Sequence, residues 1–171
     1  MRVLGIDPGS RVTGFAVADM RRGAAARAVG FGVIRPVADS MAGRLVEIFD
    51  GVARGIDELQ PEVLAVETVF LARNAQSALK LGQARGAAIC AAARAGLRVC
   101  EYAPRMVKLA VVGSGRADKL QVQHMMRQIL RLDGPLAADA ADALAIAVCH
   151  AHTEQTRGYA SRRLAALEGL R

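Results

Sequence analysis

Residues 2–18 read RVLGIDPGSRVTGFAVA, and this stretch decides the fold that the rest of the chain must complete. Residues 2–7 predict a buried strand, and residues 12–18 predict a second strand after the Pro8-Gly9-Ser10 turn. Residues 26–34 favour a third strand. Parallel strands need a crossover of about a dozen residues or more, so the short connections predict antiparallel pairing. The chain therefore begins with a β-meander.

Alternating helices and strands follow the meander. Ser40 is placed to cap a helix that runs to Gln60, where Pro61 stops it. The nearly continuous apolar strand at residues 63–68 is typical of a central position beside the first strand. Further elements are expected as a helix at 77–95, a strand at 97–102, a helical and basic stretch after Pro104, and helices at 118–132 and 137–152. This order predicts an α/β protein with a five-stranded mixed sheet flanked by helices, the ribonuclease H-like fold.

Size and composition indicate one folded domain. The chain has 171 residues, of which 53% are hydrophobic and only 4% aromatic, and this favours helices packed on a sheet over an aromatic-rich sandwich. We expect the domain at residues 1–153 and a C-terminal tail at residues 154–171, whose weak periodicity predicts disorder. The formal net charge of +7 indicates a polyanionic partner such as nucleic acid, without identifying it.

Cysteine usage and apolar runs point to the cytoplasm. Cys90, Cys100 and Cys149 are odd in number and form no C-x-x-C pair, so neither a disulfide framework nor a zinc ribbon is indicated. The start of the chain lacks the apolar core of a signal peptide. The longest apolar run, at residues 87–93, is too short to span a bilayer. We expect a cytoplasmic protein that does not bind membranes.

Acidic residues stand where two of the predicted strands end. Asp7 ends the first strand, and Glu67 directly follows the apolar residues 63–66. An alternative interpretation of Asp7 is a turn-forming residue before Pro8 and Gly9. An acid at the end of a buried strand, such as Glu67, needs a cation or hydrogen bonds to offset its desolvation.

Two more acids, Asp139 and Asp142, lie three residues apart in an apolar segment and share one helix face. Interaction with the helix dipole is an alternative interpretation of Asp139, whereas the alanines around Asp142 favour close packing on the sheet. If the helix crosses both strand ends, four acids converge and their repulsion requires cations. Carboxylate oxygens suit Mg²⁺, with Mn²⁺ as a substitute. Two such ions, about 3.5 to 4 Å apart, would bind the attacking and the leaving oxygen of a phosphoryl displacement.

Five sequence blocks in order resemble the RuvC family of Holliday-junction resolvases over nearly the whole chain. They are LGIDPGSRVTG (4–14), VETVF (66–70), SALKLGQARG (77–86), VVG (111–113) with Lys119, and ADAADALAI (138–146). The resemblance implies an endodeoxyribonuclease of recombination and repair that resolves four-way DNA junctions by paired symmetric nicks with 5′-phosphate and 3′-hydroxyl ends. It implies that the catalytic metal ligands are Asp7, Glu67, Asp139 and Asp142. It also implies the RuvA–RuvB branch-migration complex as a partner. Two symmetric nicks require two identical sites, which predicts a homodimer. The alanine-rich helix after Ser77 is the expected interface, and packing on the sheet is the alternative interpretation of its small residues.

Basic residues are concentrated between residues 105 and 131, where six of them accompany the single acid Asp118. A solvated helix face is the alternative interpretation of this segment. By the resemblance, Lys119 is catalytic and stabilises charge on the phosphate, and Lys108 lies near the scissile strand. The other candidate DNA-binding residues are Arg105 and Arg116, together with Phe70 for base stacking and Arg73 for a phosphate contact.

Two other functions agree with parts of the sequence. The turn at residues 7–10 is similar to the phosphate loop of actin-like phosphotransferases, but those proteins need two such domains and no second loop is found. A non-catalytic junction-binding protein would account for the basic segment and Phe70, but not for four carboxylates beside a polyanion. His150 and His152 do not share a helix face, so no zinc site is predicted.

Overall fold

In the computed structural model, residues 1–20, 25–68 and 74–168 are described, with side chains described as far as Tyr159. Within these residues the elements are β1 (Arg2–Asp7), β2 (Thr13–Asp19), β3 (Arg27–Ile34), α1 (Met41–Leu59), β4 (Val63–Glu67), α2 (Ala75–Arg94), β5 (Arg98–Tyr102), α3 (Pro104–Val112), α4 (Lys119–Leu130) and α5 (Ala138–Glu168). The sheet order is β3-β2-β1-β4-β5. β1, β2 and β3 pair antiparallel, whereas β4 is parallel to both β1 and β5. This mixed sheet confirms the predicted α/β class and the meander.

Capping residues set the starts of α2 and α4. The strands and α1 begin and end within about one residue of the predicted positions. α2 begins before the expected Ser77, because the Asn74 side chain accepts hydrogen bonds from the first N–H groups of the helix. Asp118 caps α4 in a reciprocal capping box with Gln121. Lys119 is consequently the first residue of α4.

Side chains of the central strands alternate between two apolar layers. Even positions such as Leu4 pack with α1 and α2 in one core cluster. Odd positions such as Val3 and Ala65 pack with α5 in the other. Successive side chains of a strand point to opposite faces of a sheet. The last residues of β1 and β4, Asp7 and Glu67, therefore both point to the side of the sheet that α5 covers.

The backbone of α5 lies directly against the sheet at two glycines. A Cβ atom on Gly5 would overlap the backbone carbonyl oxygen of Ala143, and a Cβ atom on Gly14 would overlap that of Asp139. The alanines of α5 around these contacts are buried. This packing confirms that small residues bring the helix close to the sheet, and it carries Asp142 to the ends of the central strands.

The helix α5 continues past its expected end at His152 and reaches Glu168. In this part of α5 the apolar periodicity is weak, and Glu154 forms two ion pairs. Its Oε2 atom lies 3.5 Å from Nη2 of Arg98 on β5, and its Oε1 atom lies 3.4 Å from Nη1 of Arg157 one turn later. Helix thus occupies most of the expected tail, while the boundary between domain and tail stays a prediction. Neither α5 nor any other helix in the described residues is both long and apolar enough to cross a membrane.

Candidate active site

The ends of β1 and β4 open into a cavity of about 290 Å³ that α3, α4 and α5 also line. Among the described residues, three carboxylates and two lysines line it: Asp7, Glu67, Asp142, Lys108 and Lys119. Apolar side chains form the rest of the wall: Pro104, Val107, Val122 and Ile146. Five of the residues that the sequence predicted for catalysis or DNA binding are therefore brought together, and we call this site the acidic cavity.

Asp7 and Glu67 lie at the ends of neighbouring parallel strands. The register pairs Ile6 with Val66, so the next residues along the two strands are the two acids. Burial raises the pKa of Asp7 to about 7, and repulsion from Asp142 and Glu67 adds to the effect. Burial is also the main cause that raises the pKa of Glu67. A nearby cation would favour the ionised form of both acids.

The start of α5 contributes the other two predicted acids. Asp142 lines the cavity, and its negative charge raises the pKa values of Asp7 and Glu67. Asp139 lies one turn earlier, where its backbone contacts Gly14 of β2. Its side chain does not line the cavity, but its charge still contributes to the raised pKa of Asp7. The structure thus places three acids in the cavity and Asp139 beside it.

The two lysines flank the acids. The Nζ atom of Lys119 donates a hydrogen bond to Oδ2 of Asp142 over 3.3 Å. The charge of Asp142 is the largest cause of the raised pKa of Lys119. The Lys119 side chain is 74% exposed, so its ammonium group is accessible from solvent. Lys108 of α3 lines the same cavity, and its charge acts to lower the pKa of Glu67.

The donor set of the acidic cavity fits a divalent cation in composition and charge. Carboxylate oxygens are the ligands that Mg²⁺ and Mn²⁺ prefer. Burial, and then repulsion from Asp142 and Glu67, raise the pKa of Asp7, and a bound cation would offset both effects. As the side chains stand, no group of three or more His, Cys, Asp or Glu residues in the described part of the chain could hold a metal ion.

Two further predicted DNA-binding residues, Arg105 and Arg116, lie outside the acidic cavity. Phe70 and Arg73 are outside the described residues. Arg105 is exposed outside the acidic cavity, with its side chain against the backbone of Gly115. Arg116 is exposed in the turn that precedes α4. The roles of these four side chains stay predictions.

Two contacts of Arg85 and Tyr102 were not predicted from the sequence. Nε of Arg85, on α2, donates a hydrogen bond to the backbone carbonyl oxygen of Glu67 over 2.9 Å. The Tyr102 hydroxyl forms a buried hydrogen bond of 2.7 Å with Nδ1 of His150, whose pKa is lowered by burial. Arg85 lies in SALKLGQARG, one of the five blocks that carry the family resemblance, so the sequence contained a signal that could have identified this residue. No local pattern connects Tyr102 with His150, because they are 48 residues apart.

Comparison with known proteins agrees with this geometry. The family model "Crossover junction endodeoxyribonuclease RuvC" matches residues 3–150. The chain is 56% identical over 161 residues to the crossover junction endodeoxyribonuclease RuvC of Methylococcus capsulatus, which covers 94% of this chain and 96% of the relative. It is 55% identical over 154 residues to the protein of the same name from Photobacterium profundum, with coverages of 90% and 88%.

A solved structure shows the same architecture. The structure of Thermus thermophilus RuvC in complex with Holliday junction substrate is similar with a TM-score of 0.85 and 37% sequence identity. The similarity covers 91% of this chain and 96% of that chain. The likeness is therefore to a whole protein and not to a fragment of one.

Proposed function

The chain belongs to the RuvC family of crossover junction endodeoxyribonucleases, and we propose that the acidic cavity is the site at which it hydrolyses one strand of a four-way DNA junction. The observation that carries this proposal is the convergence of three carboxylates on a cavity that also contains two lysines. Acids that repel one another in a partly buried site favour a bound cation, and lysines beside them attract phosphates. A site of this composition suits phosphodiester hydrolysis.

Asp7, Glu67, Asp139 and Asp142 are the proposed ligands of divalent cations. Nucleases of this family depend on divalent metal, and the all-carboxylate donor set favours Mg²⁺, with Mn²⁺ as a substitute. When bound, two such ions would neutralise the acids, activate the attacking water and stabilise the departing 3′ oxygen. The products would then carry 5′-phosphate and 3′-hydroxyl ends.

Lys119 is the proposed contact to the scissile phosphate. It begins α4, and its exposed ammonium group is joined to the acids through Asp142. An exposed ion pair of this kind stabilises a protein by about 1 kcal/mol at most. Lys119 can therefore exchange Asp142 for a phosphate oxygen at a small cost in free energy. Lys108 would hold the same DNA strand from α3.

Four further residues are proposed to bind the junction. Arg105 and Arg116 are exposed, and from their positions they would contact backbone phosphates. By family membership, Phe70 would stack with junction bases and Arg73 would pair with a phosphate. Binding would then depend on junction shape and phosphate contacts, and local sequence would further restrict cutting.

A homodimer is the proposed active assembly, because paired symmetric nicks in a two-fold junction require two identical sites. One face of α2 is the proposed interface. Leu79 on this face is 69% exposed, and Cβ atoms added at Gly82 or Gly86 would meet no atom of the described residues within 4 Å. Open space at these positions would let a second copy of the helix approach closely. The protein is also proposed to act with the RuvA–RuvB branch-migration complex and to be located in the cytoplasm.

Cleavage of a labelled four-way junction tests the proposed function. In Mg²⁺ the protein should nick two opposing strands at ends that a ligase can reseal, and EDTA should stop the reaction. Asp7→Asn, Glu67→Gln, Asp139→Asn and Asp142→Asn should abolish cutting but retain junction binding, because removal of a negative charge relieves repulsion of the phosphate. Binding without cutting in Mg²⁺ or Mn²⁺ would instead indicate an architectural protein. Saturable ATP binding would favour a phosphotransferase.

A further inference from the structure

Among the strands that the structure describes, the main chain of Glu67 is paired on one side only. The pairing of β1 with β4 ends at Ile6 and Val66, whereas that of β4 with β5 continues to Glu67 and Tyr102. The Thr68 N–H donates a hydrogen bond to the Tyr102 carbonyl over 2.9 Å and continues this one-sided ladder. Carbonyl groups in a partly buried strand end need a hydrogen-bond donor. The Glu67 carbonyl must therefore find its donor outside the sheet.

Arg85 supplies this donor from α2. Its Nε atom donates to the Glu67 carbonyl oxygen over 2.9 Å. Its Nη2 atom is buried from solvent and lies 2.5 Å from Oε2 of Glu101 on β5, a close ion pair without the alignment of a hydrogen bond. The Arg85 side chain is only 18% exposed. One guanidinium group thus bridges the ends of β4 and β5.

Arg85 acts from the side of the sheet opposite to the acidic cavity. Its neighbours on α2, Ala84 and Ala88, are buried in the same layer as Val66. The Glu67 side chain points the other way and lines the cavity, whereas Arg85 does not line it. The hydrogen bond therefore holds the main chain of Glu67 and leaves its carboxylate available in the cavity.

We propose that Arg85 is a positioning residue that fixes the direction of the Glu67 carboxylate, an inference that rests on the function proposed above. A guanidinium group presents five N–H donors in a rigid fork, and can bind the Glu67 carbonyl and Glu101 at once. A lysine presents one compact ammonium group on a flexible stem and cannot reproduce both contacts. Loss of an outer contact that orients a metal ligand typically lowers metal affinity or activity by about 10- to 100-fold.

Mn²⁺ binding by the DNA-free protein tests this role separately from cleavage. A titration with Mn²⁺ alone, followed through the electron paramagnetic resonance signal of the free ion, should give a dissociation constant about 10- to 100-fold higher for Arg85→Lys. Its kcat for a four-way junction at a fixed Mg²⁺ concentration should fall, while KM and the metal-free Kd for the junction stay unchanged. Glu101→Gln keeps the Arg85 hydrogen bond to Glu67 but loses the ion pair, so it should show a smaller effect in the same direction.

Arg94→Lys is the matched control. Arg94 is exposed on the last turn of the same helix, and its guanidinium lies over the ring of Phe49 at 5.7 Å from the centroid. This variant should bind Mn²⁺ and cut junctions like the parent protein. Thermal unfolding curves set the assay temperature below the Tm of every variant.

The outcomes separate this proposal from the proposed function. If the parent protein does not cut junctions, the proposed function is wrong. If the parent cuts and folded Arg85→Lys matches it in Mn²⁺ affinity and kcat, only the role of Arg85 is wrong, whatever the change in Tm. If Arg85→Lys does not fold, parent-like Mn²⁺ affinity of Glu101→Gln overturns the proposal, and weakened affinity supports it.

Discussion

The Nζ atom of Lys119 and the Oδ2 atom of Asp142 belong to different helices and lie 3.3 Å apart at the acidic cavity. The pair connects the first residue of α4 with the start of α5. Its ammonium group provides positive charge to the same carboxylate that is a proposed metal ligand. A divalent cation bound by Asp142 would therefore compete with Lys119 for this carboxylate.

Replacement of Lys119 should separate metal binding from catalysis. Lys119→Ala should slow single-turnover cleavage by roughly 10² to 10³, the usual loss when one electrostatic donor to a transition state is removed. Mn²⁺ affinity of the DNA-free protein should be unchanged or higher, because the competitor for Asp142 is gone. Arg54→Ala, at an exposed position of α1, provides the control. Weaker Mn²⁺ binding together with parent-like cleavage would contradict this prediction, because Lys119 would then support metal binding and not catalysis.

Asp7 should make the metal-free protein less stable as the pH rises towards about 7. Its pKa is about 7 in the folded protein and about 3.9 in an unfolded chain, so between these values the folded state retains a proton that the unfolded state has released. This single group can then lower the free energy of unfolding by about 1.4 kcal/mol per pH unit at most. Below about pH 4 its stabilising effect is fully present, and above about pH 7 it is lost.

Comparison with Asp7→Asn isolates this effect from other titrations. The variant lacks the ionisable group, so its stability relative to the parent should increase with pH up to about 7 and then remain constant. Denaturant unfolding in EDTA across this range measures the difference. A stability difference that does not change with pH would contradict the raised pKa. For the parent, Mn²⁺ affinity should increase over the same range, because the ion displaces the proton.

Gly14 should be essential for the position of Asp139. A Cβ atom at Gly14 would overlap the Asp139 backbone carbonyl, so Gly14→Ala must displace the start of α5. Cleavage and Mn²⁺ affinity should both fall, with a lower Tm. Gly55→Ala is a suitable control, since a Cβ atom there meets Phe15, among the described residues, at ordinary contact distance. Parent-like activity of Gly14→Ala would show that α5 can shift without moving its acids out of place.

The buried hydrogen bond between Tyr102 and His150 should contribute to stability. His150 is fully buried, and within the described residues its Nε2 atom has no hydrogen-bond partner. Tyr102→Phe would leave the whole imidazole unpaired, at a cost of about 1 to 3 kcal/mol. Chemical denaturation above pH 7, where His150 is neutral, measures this loss. Tyr159→Phe, at a side chain that is 64% exposed, should leave stability unchanged; equal effects of both variants would argue against the contact.

A charge on the exposed face of α2 should dissociate the proposed dimer. Leu79→Asp would place a carboxylate in an apolar helix contact, and burying it without a partner is costly. Sedimentation at micromolar concentration should show a dimer for the parent and a monomer for the variant, with loss of paired nicking. Leu120→Asp, at a leucine that is 75% exposed on α4, controls for the change in surface charge. A monomeric parent protein, unchanged by junction DNA, would contradict the assembly.

Much of this protein could be predicted from local sequence patterns. Strand and helix positions follow from apolar periodicity and from caps such as Ser40 and Asp118, because these signals act over a few residues. The acids at the ends of β1 and β4 could be recognised because a carboxylate directly after a buried strand needs compensation. The end of α5 was placed too early, since no proline or glycine terminates the helix near His152.

By itself, the sequence determined the order of the elements, the family, and which acids and lysines are candidates for the site. Only the tertiary structure decided that Asp142 enters the cavity while Asp139 stays beside it, and that Arg85 holds the Glu67 carbonyl from the opposite face of the sheet. These features depend on distances and burial between residues far apart in the chain. A local pattern contains neither quantity, because both arise only when the helices pack on the sheet.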